Sequence, residues 1–339
     1  MAATIKDVAS KAQVSIATVS LVIHDNKRIS PETKRKVLKV IKQLDYHPSK
    51  SARDLVSKKT GNIGFILTND HFLRTEPFYT RIFLGTEFEA RDRGFYILLT
   101  TVNSDFGEDD ELPRFILDRS VDGVIIAGKV PHTLVEKISS KYKFPVVFVD
   151  FLPNGDDYPV VLIDNIQGGL LATNHLIQYG HKNIAFIGGD IEHPSISDRL
   201  MGYSKALENS NLKYNEKLIH TTSPYPDRQN GYDALKALFK KNKNITAVFA
   251  CNDAMAIGAM HFLKDNHYKI PDDVSVIGFD DVEVDLLLDP PLTTIRVPKI
   301  DLGAEGLRLM MDVLKSKNGK SKKVLVPVEL IIRKSTKKI

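Results

Sequence analysis

The chain has 339 residues, which at about 150 residues per domain predicts two or three domains. Its 42% hydrophobic and 26% charged residues are typical of a globular protein and exclude disorder, and the formal net charge is +5. A single cysteine excludes a disulfide framework and a cysteine-based zinc cluster. Neither an apolar run of about 18 residues nor a signal segment occurs, so we expect a soluble, cytoplasmic protein without a membrane span.

The charge is concentrated at the N-terminus. Residues 1–60 carry 13 lysines and arginines against 5 acids, net +8, whereas the remaining 279 residues are net −3. Because this excess coincides with a compact helical pattern, it favours DNA as a partner over a merely solvated surface. A membrane-surface helix would have to be continuous, but the pattern is broken twice within the first 30 residues.

Three short helices are predicted in this basic head. Thr4 followed by Asp7 predicts a capped first helix, Ser15 begins a second, and Ser30-Pro31-Glu32 begins a third that runs to about Leu44. The apolar residues expected to be buried on the third helix are Val37, Leu38, Ile41 and Leu44. Two short helices joined by a tight turn and braced by a third predict a helix-turn-helix, although the pattern alone also allows an ordinary three-helix bundle.

Several short sequence motifs occur in order along the head. Two of them are Thr4-Ile5-Lys6-Asp7-Val8-Ala9 and Val14-Ser15-Ile16-Ala17-Thr18-Val19-Ser20. Others are Ser30-Pro31-Glu32-Thr33-Lys34-Arg35-Lys36-Val37, Leu44-Asp45-Tyr46-His47-Pro48 and Ala52-Arg53-Asp54-Leu55. Together they resemble the head of LacI/GalR-family transcriptional regulators, and the resemblance extends through the body of the chain.

The resemblance implies a division of the chain and a mode of action. It implies a DNA-binding helix-turn-helix domain at 1–48, a hinge helix and linker at 49–60, and an effector-binding and dimerisation core at 61–339. It also implies a homodimeric repressor that binds double-stranded DNA at a near-palindromic operator, because two-fold protein symmetry requires paired half-sites.

The residues of the head that are predicted to contact DNA fall into three groups. In a helix-turn-helix the second helix enters the major groove, which nominates for the base edges Ser15, Ile16, Ala17, Thr18 and Leu21. Residues placed to contact phosphates are Ser20, His24, Arg28, Ser30 and Tyr46. The resemblance adds Thr4, Lys50 and Ala52, and it assigns Leu55 to a wedge in the minor groove, for which a plain packing leucine is the alternative.

Three departures from the family pattern bear on DNA recognition. Leu21 stands where most relatives carry arginine or another polar residue, so bidentate guanine recognition is lost there and contact with thymine methyl groups is expected instead. Gln13 replaces a glycine in the turn, which predicts a left-handed conformation at a non-glycine residue. Lys50 and Ser51 occupy hinge positions that are usually small or apolar.

The body alternates short apolar runs with amphipathic stretches. The runs are 62–67, 96–100, 123–127, 145–150, 160–164, 183–188, 247–250 and 274–278. Near-continuous β-branched runs separated by helices predict an α/β fold with doubly wound parallel sheets. The resemblance implies a periplasmic-binding-protein-like core of two lobes, with lobe 1 at about 61–159 and 292–320 and lobe 2 at about 160–291 and 321–339.

Polar residues at strand ends form the candidate effector pocket. Asp150, Asn252 and Asp280 each follow an apolar strand, which places them at the crevice between two lobes. The family's effector residues map onto Phe78, Tyr79, Asp150, Ser195, Arg199, Asn252 and Asp280. These donors, acceptors and aromatic rings suit a sugar or sugar derivative. The alternatives are helix caps for aspartates such as Asp253 and Asp281, and a surface ion pair for Arg199.

Enzyme signatures are absent from the sequence. No dinucleotide-binding or P-loop glycine motif, no G-x-S-x-G turn and no metal-ligand spacing occurs, so we expect no cofactor and no metal. Cys251 lies in a strand-like run, which predicts a buried core thiol. The leading alternative is a cytoplasmic ligand-binding protein whose head has weakened or lost DNA readout, given Leu21; a sugar-metabolising enzyme ranks third.

Overall fold

The chain folds into two compact units, Met1–Thr60 and Gly61–Ile339. The computed structural model describes residues 3–23, 28–46, 59–72, 77–153, 157–222, 226–316 and 322–339. The predicted hinge helix and its Leu55 lie outside these residues.

The described part of the head contains three helices, α1 Ile5–Ala12, α2 Ile16–Ile23 and α3 Pro31–Gln43. Their predicted starts are confirmed: Thr4 and Asp7 form a capping box, while the Ser15 and Ser30 hydroxyls accept hydrogen bonds from the amides of Thr18 and Thr33. The turn after α1 places Gln13 at φ 52°, which confirms the predicted left-handed conformation.

The core of the head is formed by one face of each helix. It contains Val8, Ala9, Ala12, Val19, Val22, Val37, Val40 and Tyr46. The prediction that Leu38 is buried was wrong: Leu38 is exposed, and Val40 takes the place in the core because α3 turns its Val37–Val40–Ile41 face inward.

The described residues of the second unit form twelve strands in two six-stranded sheets. In chain order they are β1 Asn62–Thr68, β2 Tyr96–Val102, β3 Gly123–Ala127, β4 Val146–Val149, β5 Val160–Ile163, β6 Ile184–Ile187, β7 Ile219–His220, β8 Ala247–Ala250, β9 Ser275–Asp280, β10 Thr293–Arg296, β11 Lys323–Val326 and β12 Glu329–Ile331. The strand orders are β11-β5-β4-β3-β1-β2 and β12-β10-β9-β8-β6-β7. All pairings are parallel except that of β12 with β10.

Helices cover both sheets. In chain order they are α4 Asn69–Phe72, α5 Phe78–Asp92, α6 Arg114–Leu117, α7 His132–Glu136 with a π-helical turn Lys137–Lys141, α8 Asn165–Gln178, α9 Pro194–Asn209, α10 Arg228–Lys241, α11 Asp253–Asp265 and α12 Lys299–Lys315, with 3₁₀ helices Glu216–Leu218 and Glu283–Leu286. Strands such as β1, β3 and β8 are buried along their whole length, because helices shield both faces of each sheet. The predicted α/β class with doubly wound parallel sheets is thereby confirmed.

The structure corrects the predicted lobe borders. We define the first lobe as the first sheet with α4–α7 and α12, and the second lobe as the second sheet with α8–α11. Strands β5 and β11 had been assigned to the second lobe, but they pair with each other, and β5 also pairs with β4, in the first sheet. Strand β10 had been assigned to the first lobe, but it pairs with β9 in the second. The chain therefore passes from one lobe to the other after β5, β10 and β11. The lobe to which a strand belongs depends on its main-chain pairing, which an apolar run in the sequence does not reveal.

Among the described residues no helix is long and apolar enough to cross a membrane.

Candidate functional site

The outward side of α2 exposes two large apolar side chains. Ile16 is 45% exposed and Leu21 is 37% exposed, while Val19 and Val22 point into the head core. Ser15 and Ala17 are exposed as well, and Thr18 is half-buried with its hydroxyl 2.9 Å from that of Ser15. The residues predicted to contact base edges thus lie together on the outward side of one helix.

The other residues predicted to contact DNA divide into three groups. Thr4, Arg28 and Ser30 are exposed, and Ser20 is half-buried. Tyr46 is 6% exposed and packs in the head core, so its ring stabilises the head, and the phosphate contact of its hydroxyl stays a prediction. The candidates His24, Lys50, Ala52 and Leu55 lie outside the described residues.

In the first lobe, Tyr79 and Asp150 are joined by a hydrogen bond. The Tyr79 hydroxyl, in the first turn of α5, donates to Asp150 Oδ2 over 2.9 Å. Asp150 directly follows β4, is buried, and has φ 64°. The Phe78 ring packs edge-on against that of Tyr79, with their centroids 5.1 Å apart. Left-handed backbone at a non-glycine residue is costly and often marks a functional site.

In the second lobe, Arg199 is held rigidly at the centre of a polar cluster. It is 7% exposed, its Nε donates to Asn165 Oδ1 over 2.8 Å, and its Nη1 donates to the carbonyl of Cys251 over 2.5 Å. The guanidinium carbon lies 3.6 Å above the ring centroid of Phe279, and Nη1 is 3.9 Å from Asp280 Oδ1. A buried, stacked arginine with these contacts is not the surface ion pair considered as the alternative.

Asn252 and Asp280 complete this cluster at the ends of β8 and β9. Asn252 Oδ1 caps α11 by accepting from the Met255 amide over 2.9 Å, and its Nδ2 donates to the Pro226 carbonyl. Asp280 has φ 121°, a conformation that few side chains adopt. Ser195 is half-buried in the first turn of α9, one helical turn before Arg199.

The two aspartates considered as helix caps have other partners. Asp253 is fully buried and accepts from the Thr294 hydroxyl over 2.6 Å and from the Val282 amide. Asp281 pairs with Arg296 and Arg333. Burial raises the pKa of Asp281, but hydrogen bonds from both arginines outweigh this and hold it below its usual range.

Two contacts bring residues of the two lobes close together. Phe151, which follows Asp150, has its ring centroid 6.1 Å from that of His193, the residue before α9. Lys299 of α12 donates to the main-chain carbonyls of Asp280 and Asp281, and its Nζ lies 5.8 Å from the Phe78 ring centroid. These contacts place Phe151 and Phe78, which neighbour the predicted effector residues of the first lobe, close to residues of the second lobe.

Sequence reasoning missed three residues of this region. Asn165 orients Arg199, Lys299 bridges the lobes, and Asp285 forms a buried carboxylate pair with Asp253. The sequence could have indicated Asn165 and Lys299 only through their positions, because each lies just after a strand at which the chain passes from one lobe to the other. Cys251 is buried, which confirms the predicted core thiol, and burial raises the pKa of this thiol to about 11. Within the described residues no group of His, Cys, Asp and Glu side chains is arranged to hold a metal.

A helix-turn-helix head and a two-lobed α/β core define a DNA-binding regulator with a periplasmic-binding-protein-like core. Residues 4–49 match the family model of bacterial regulatory proteins of the lacI family, and residues 173–336 match the periplasmic binding protein-like domain. The chain belongs to the lacI family and is a transcriptional regulator, not an enzyme.

Relatives and solved structures agree with this assignment. The chain is 34% identical over 338 residues to the HTH-type transcriptional repressor PurR of Mannheimia succiniciproducens, with 99% of each chain covered. It is similar to the structure of a transcriptional regulator CelR–cellobiose complex, with TM-score 0.73, 30% identity and coverage of 98% and 99%. The fold also matches a lac repressor dimer bound to operator and the anti-inducer ONPF, with TM-score 0.80, 24% identity and coverage of 99% and 100%.

Proposed function

We propose that the chain is a homodimeric repressor of a near-palindromic operator, and that a small ligand bound between its lobes controls DNA affinity. The observation that carries the ligand part is the Arg199 cluster, which faces the cleft beside Asp280 in a strained backbone conformation. Buried polar groups at the carboxyl ends of parallel strands are where ligands bind in such folds. A repressor of this kind acts in the cytoplasm, where the DNA is.

A sugar or sugar derivative is the ligand class that this cleft suits. Asp150 and Asp280 supply acceptors for hydroxyl groups, Arg199 supplies donors, and Phe78 offers a ring face. The similar CelR structure carries cellobiose, and a similar regulator from Enterococcus faecium carries ribose (25% identity, TM-score 0.69, covering 82% of this chain and 99% of that one).

Ligand control requires that the two lobes have more than one arrangement. A ligand shifts such an equilibrium only if it binds one arrangement more tightly than the other, and the same difference sets how far DNA affinity changes. Residues from both lobes line the cleft, so the contacts of a bound ligand depend on lobe closure. A ligand that binds the DNA-binding arrangement more tightly promotes DNA binding, and a ligand that binds the other arrangement more tightly releases the DNA.

The exposed apolar face of α2 supports an operator read through thymine methyl groups. Ile16, Ala17 and Leu21 present carbon atoms where a polar side chain would present hydrogen-bond groups. Apolar contact with the thymine methyl group is one of the direct ways of reading the major groove. Exposed serine, threonine and arginine side chains nearby are suited to the phosphates.

The operator proposal is tested by selecting binding sites from a random duplex pool with the purified full chain at moderate salt. We expect an enriched near-palindrome with thymines in each half-site. Replacing both Ile16 and Leu21 with alanine should weaken binding to the enriched site about tenfold and relax the preference at those thymines. Leu38→Ala, which removes an exposed leucine from α3, is the matched control and should change neither.

Lack of enrichment would contradict the operator proposal. Leu21 would then indicate that base recognition by α2 has been lost, and the chain would be better described as a ligand-binding protein without sequence-specific DNA binding. A steep fall of affinity with salt alone would show contact with phosphates but no base readout.

The ligand proposal is tested with the enriched duplex by titrating cellobiose, ribose and glucose while DNA affinity is measured. Asp280→Asn should abolish the response to whichever sugar acts, with DNA affinity in the absence of sugar unchanged. Asp109→Asn replaces an exposed aspartate away from the cleft and should respond like the original chain. A full response in the Asp280→Asn variant would overturn the assignment of the cleft.

A further inference from the structure

Arg333, which follows β12, reaches the connection between β9 and β10. We call this connection the β9 loop; it comprises residues 281–292. The Arg333 side chain is 11% exposed, its Nη2 donates to Asp281 Oδ1, and its Nη1 donates to the Leu292 carbonyl over 2.7 Å. Its Nη1 also lies 3.9 Å from Asp285 Oδ2. One guanidinium group thus contacts the beginning, the middle and the end of the loop.

The beginning of the β9 loop has an unusual backbone. Asp280, the last residue of β9, has φ 121°, and Asp281 has φ 57°. Positive φ angles at two successive residues other than glycine are costly, and such a conformation persists only where the surrounding contacts hold it. The contacts of Asp281 therefore help to decide how Asp280 is oriented, because the two residues share one planar peptide bond.

Asp281 has two arginine partners, and Arg333 is the better placed of them. Arg296 donates to Asp281 Oδ2 over 2.7 Å, but its side chain is 46% exposed, whereas the side chains of Arg333 and Asp281 are 11% and 12% exposed. Exposed ion pairs contribute little, while hydrogen bonds removed from water are electrostatically stronger. The hold on the Asp281 side chain therefore depends mainly on Arg333.

A third cation, Lys299, holds the main chain at the same place. It donates to the carbonyls of Asp280 and Asp281, but it lies on α12 of the first lobe. Its contact therefore depends on the arrangement of the two lobes. Arg333 follows β12 and Asp280 ends β9, two strands of the second sheet, so the contact of Arg333 is kept when the lobes move.

The segment that carries Arg333 is itself fixed to the second sheet. Ser335 is fully buried, and its carbonyl accepts from the Val276 amide over 2.8 Å. The Ser335 hydroxyl accepts from the Thr293 amide over 2.7 Å, and the Thr293 hydroxyl accepts from the Arg333 amide over 3.0 Å. These partners lie on β9 and β10, on either side of the loop. Arg333 can therefore impose a conformation on the β9 loop, because its own position is set by the sheet.

We infer that Arg333 is a positioning residue for the ligand site: by fixing Asp281 it keeps Asp280 in the orientation that faces Arg199. Asp280 Oδ1 lies 3.9 Å from Arg199 Nη1, so an acceptor and a donor proposed for the ligand stand side by side. Arg333 acts through Asp281 and is assigned no contact with the ligand. The inference rests on the proposed function, because it adds a residue that sets ligand affinity through Asp280.

The first test is hydrogen–deuterium exchange of the full chain without ligand, followed by mass spectrometry. The amides of Val282, Asp285 and Leu287 are hydrogen-bonded, so their exchange rates report how firmly the β9 loop is held. Arg333→Gln should accelerate exchange in the β9 loop at least tenfold and leave exchange in β8 unchanged. Arg333→Lys keeps the charge without the planar guanidinium, should give a smaller acceleration, and is the variant to use if Arg333→Gln does not fold.

Lys337→Gln is the matched control for the exchange measurement. Lys337 lies on the same C-terminal segment, and its Nζ pairs with Asp272 over 2.9 Å. This variant loses an ion pair at the opposite end of β9, so exchange in the β9 loop should stay as in the original chain. Unchanged exchange in the Arg333 variants, or an equal acceleration in Lys337→Gln, would overturn the inference, because Arg333 would then not be the group that holds the loop.

The second test is isothermal titration of the full chain with cellobiose, ribose and glucose. For the sugar that binds the original chain most tightly, Arg333→Gln should weaken binding at least tenfold. Arg333→Lys should weaken it less, and Lys337→Gln should leave it unchanged. Accelerated exchange in the β9 loop together with unchanged sugar affinity would overturn the action of Arg333 on the ligand site.

The two measurements separate this inference from the proposed function. If none of the three sugars binds the original chain, the sugar proposal fails, and the exchange measurement still decides whether Arg333 holds the β9 loop. If a sugar binds and the Arg333 variants match the original chain in both measurements, the ligand proposal stands and the positioning role of Arg333 fails. Neither measurement uses DNA, so the fate of the operator proposal does not affect them.

Discussion

Gly85 on α5 and Gly303 on α12 face each other where the two helices cross in the first lobe. A β-carbon on Gly85 would overlap the carbonyl oxygen of Ile300, and one on Gly303 would overlap that of Ile82. The second lobe repeats this arrangement twice. The glycines there are Gly169 and Gly202 between α8 and α9, and Gly231 and Gly258 between α10 and α11. Each helix pair thus packs backbone against backbone, closer than any side chain permits.

Gly303→Ala should lower the free energy of unfolding by about 1–3 kcal/mol, because the added methyl group forces the helix backbones apart. Urea unfolding of the full chain measures this change. Gly107→Ala is the matched control: its β-carbon meets no atom closer than 3.9 Å, so we expect a change of about 0.5 kcal/mol or less. Equal effects at the two positions would show that helix contact is not what Gly303 provides.

The same close packing positions Arg199. A β-carbon on Gly169 of α8 would overlap the carbonyl oxygen of Arg199 itself, so this glycine lets α9 approach until the guanidinium reaches Asn165. The site is therefore built by helix packing as well as by the ends of strands.

Arg199→Ala should abolish the ligand response and lower the free energy of unfolding by about 2–4 kcal/mol. It leaves Asn165 Oδ1 and the Cys251 carbonyl without their buried donor and removes the cation beside Asp280. Urea unfolding and sugar-dependent DNA binding measure the two effects. Arg91→Ala, at an exposed position, should change neither, and a ligand response that survives Arg199→Ala would remove this residue from the pocket.

Local features of the fold could be predicted from the sequence. Helix caps at Thr4, Ser15 and Ser30 form within three residues, so their residue types suffice to locate them. The left-handed conformation of Gln13 was predicted because this residue replaces a glycine of the family pattern. By contrast, the lobe membership of β5 and β10 depends on hydrogen bonds to distant strands, which no local pattern encodes.

The candidate site was predictable where topology alone decides it. Asp150 and Asp280 follow strands whose carboxyl ends must meet the cleft in a doubly wound sheet. The partners of each side chain were not predictable: Tyr79 with Asp150, or Asp253 with Asp285, come together only after helices dock on the sheet. The side chain that caps α11 is that of Asn252 and not that of Asp253. Asp253 instead accepts a hydrogen bond from the buried Thr294 hydroxyl.

The buried Tyr46 gives a direct test within the head. Tyr46→Phe should leave DNA affinity within about twofold of the original, because the ring keeps its place among Val8, Val37 and Val40. Tyr46→Ala should destabilise the head by about 3 kcal/mol or more and abolish DNA binding at 37 °C. Duplex binding and thermal unfolding measure both variants. A tenfold loss of DNA affinity in Tyr46→Phe would show that the Tyr46 hydroxyl contacts a phosphate group of the DNA.

Two buried histidines hold the C-terminal segment and predict acid sensitivity. His175 Nε2 lies 2.9 Å from the Thr336 hydroxyl, and His181 Nε2 lies 3.2 Å from the Lys337 carbonyl oxygen. Burial, and then the neighbouring His181, lower the pKa of His175 to about 4. The unfolded chain takes up this proton near pH 6.5 and the folded chain only near pH 4, so stability is lost as the pH falls through this interval, by about 2–3 kcal/mol. His175→Gln should remove this loss in urea unfolding, whereas the exposed His261→Gln should retain it.

The Asp253–Asp285 pair predicts a pH dependence of the opposite sign. Burial raises the pKa of Asp285 to about 6, and burial together with the charge of Asp285 raises that of Asp253 further. The folded chain keeps these protons at a pH where the unfolded chain has lost them. Their contribution is therefore complete below about pH 4 and is lost as the pH rises through 6.

Asp285→Asn separates this effect from that of the histidines. The amide stays neutral, so the variant should gain about 2–3 kcal/mol relative to the original chain between pH 4 and pH 7 in urea unfolding. Between pH 4 and 6 the carboxylate pair and His175 oppose each other, so the original chain should show a shallow profile. Asp285→Asn should then become less stable towards low pH, and His175→Gln more stable. Parallel profiles for the two variants would contradict both assignments, because they would show that neither buried group changes its proton occupancy on unfolding.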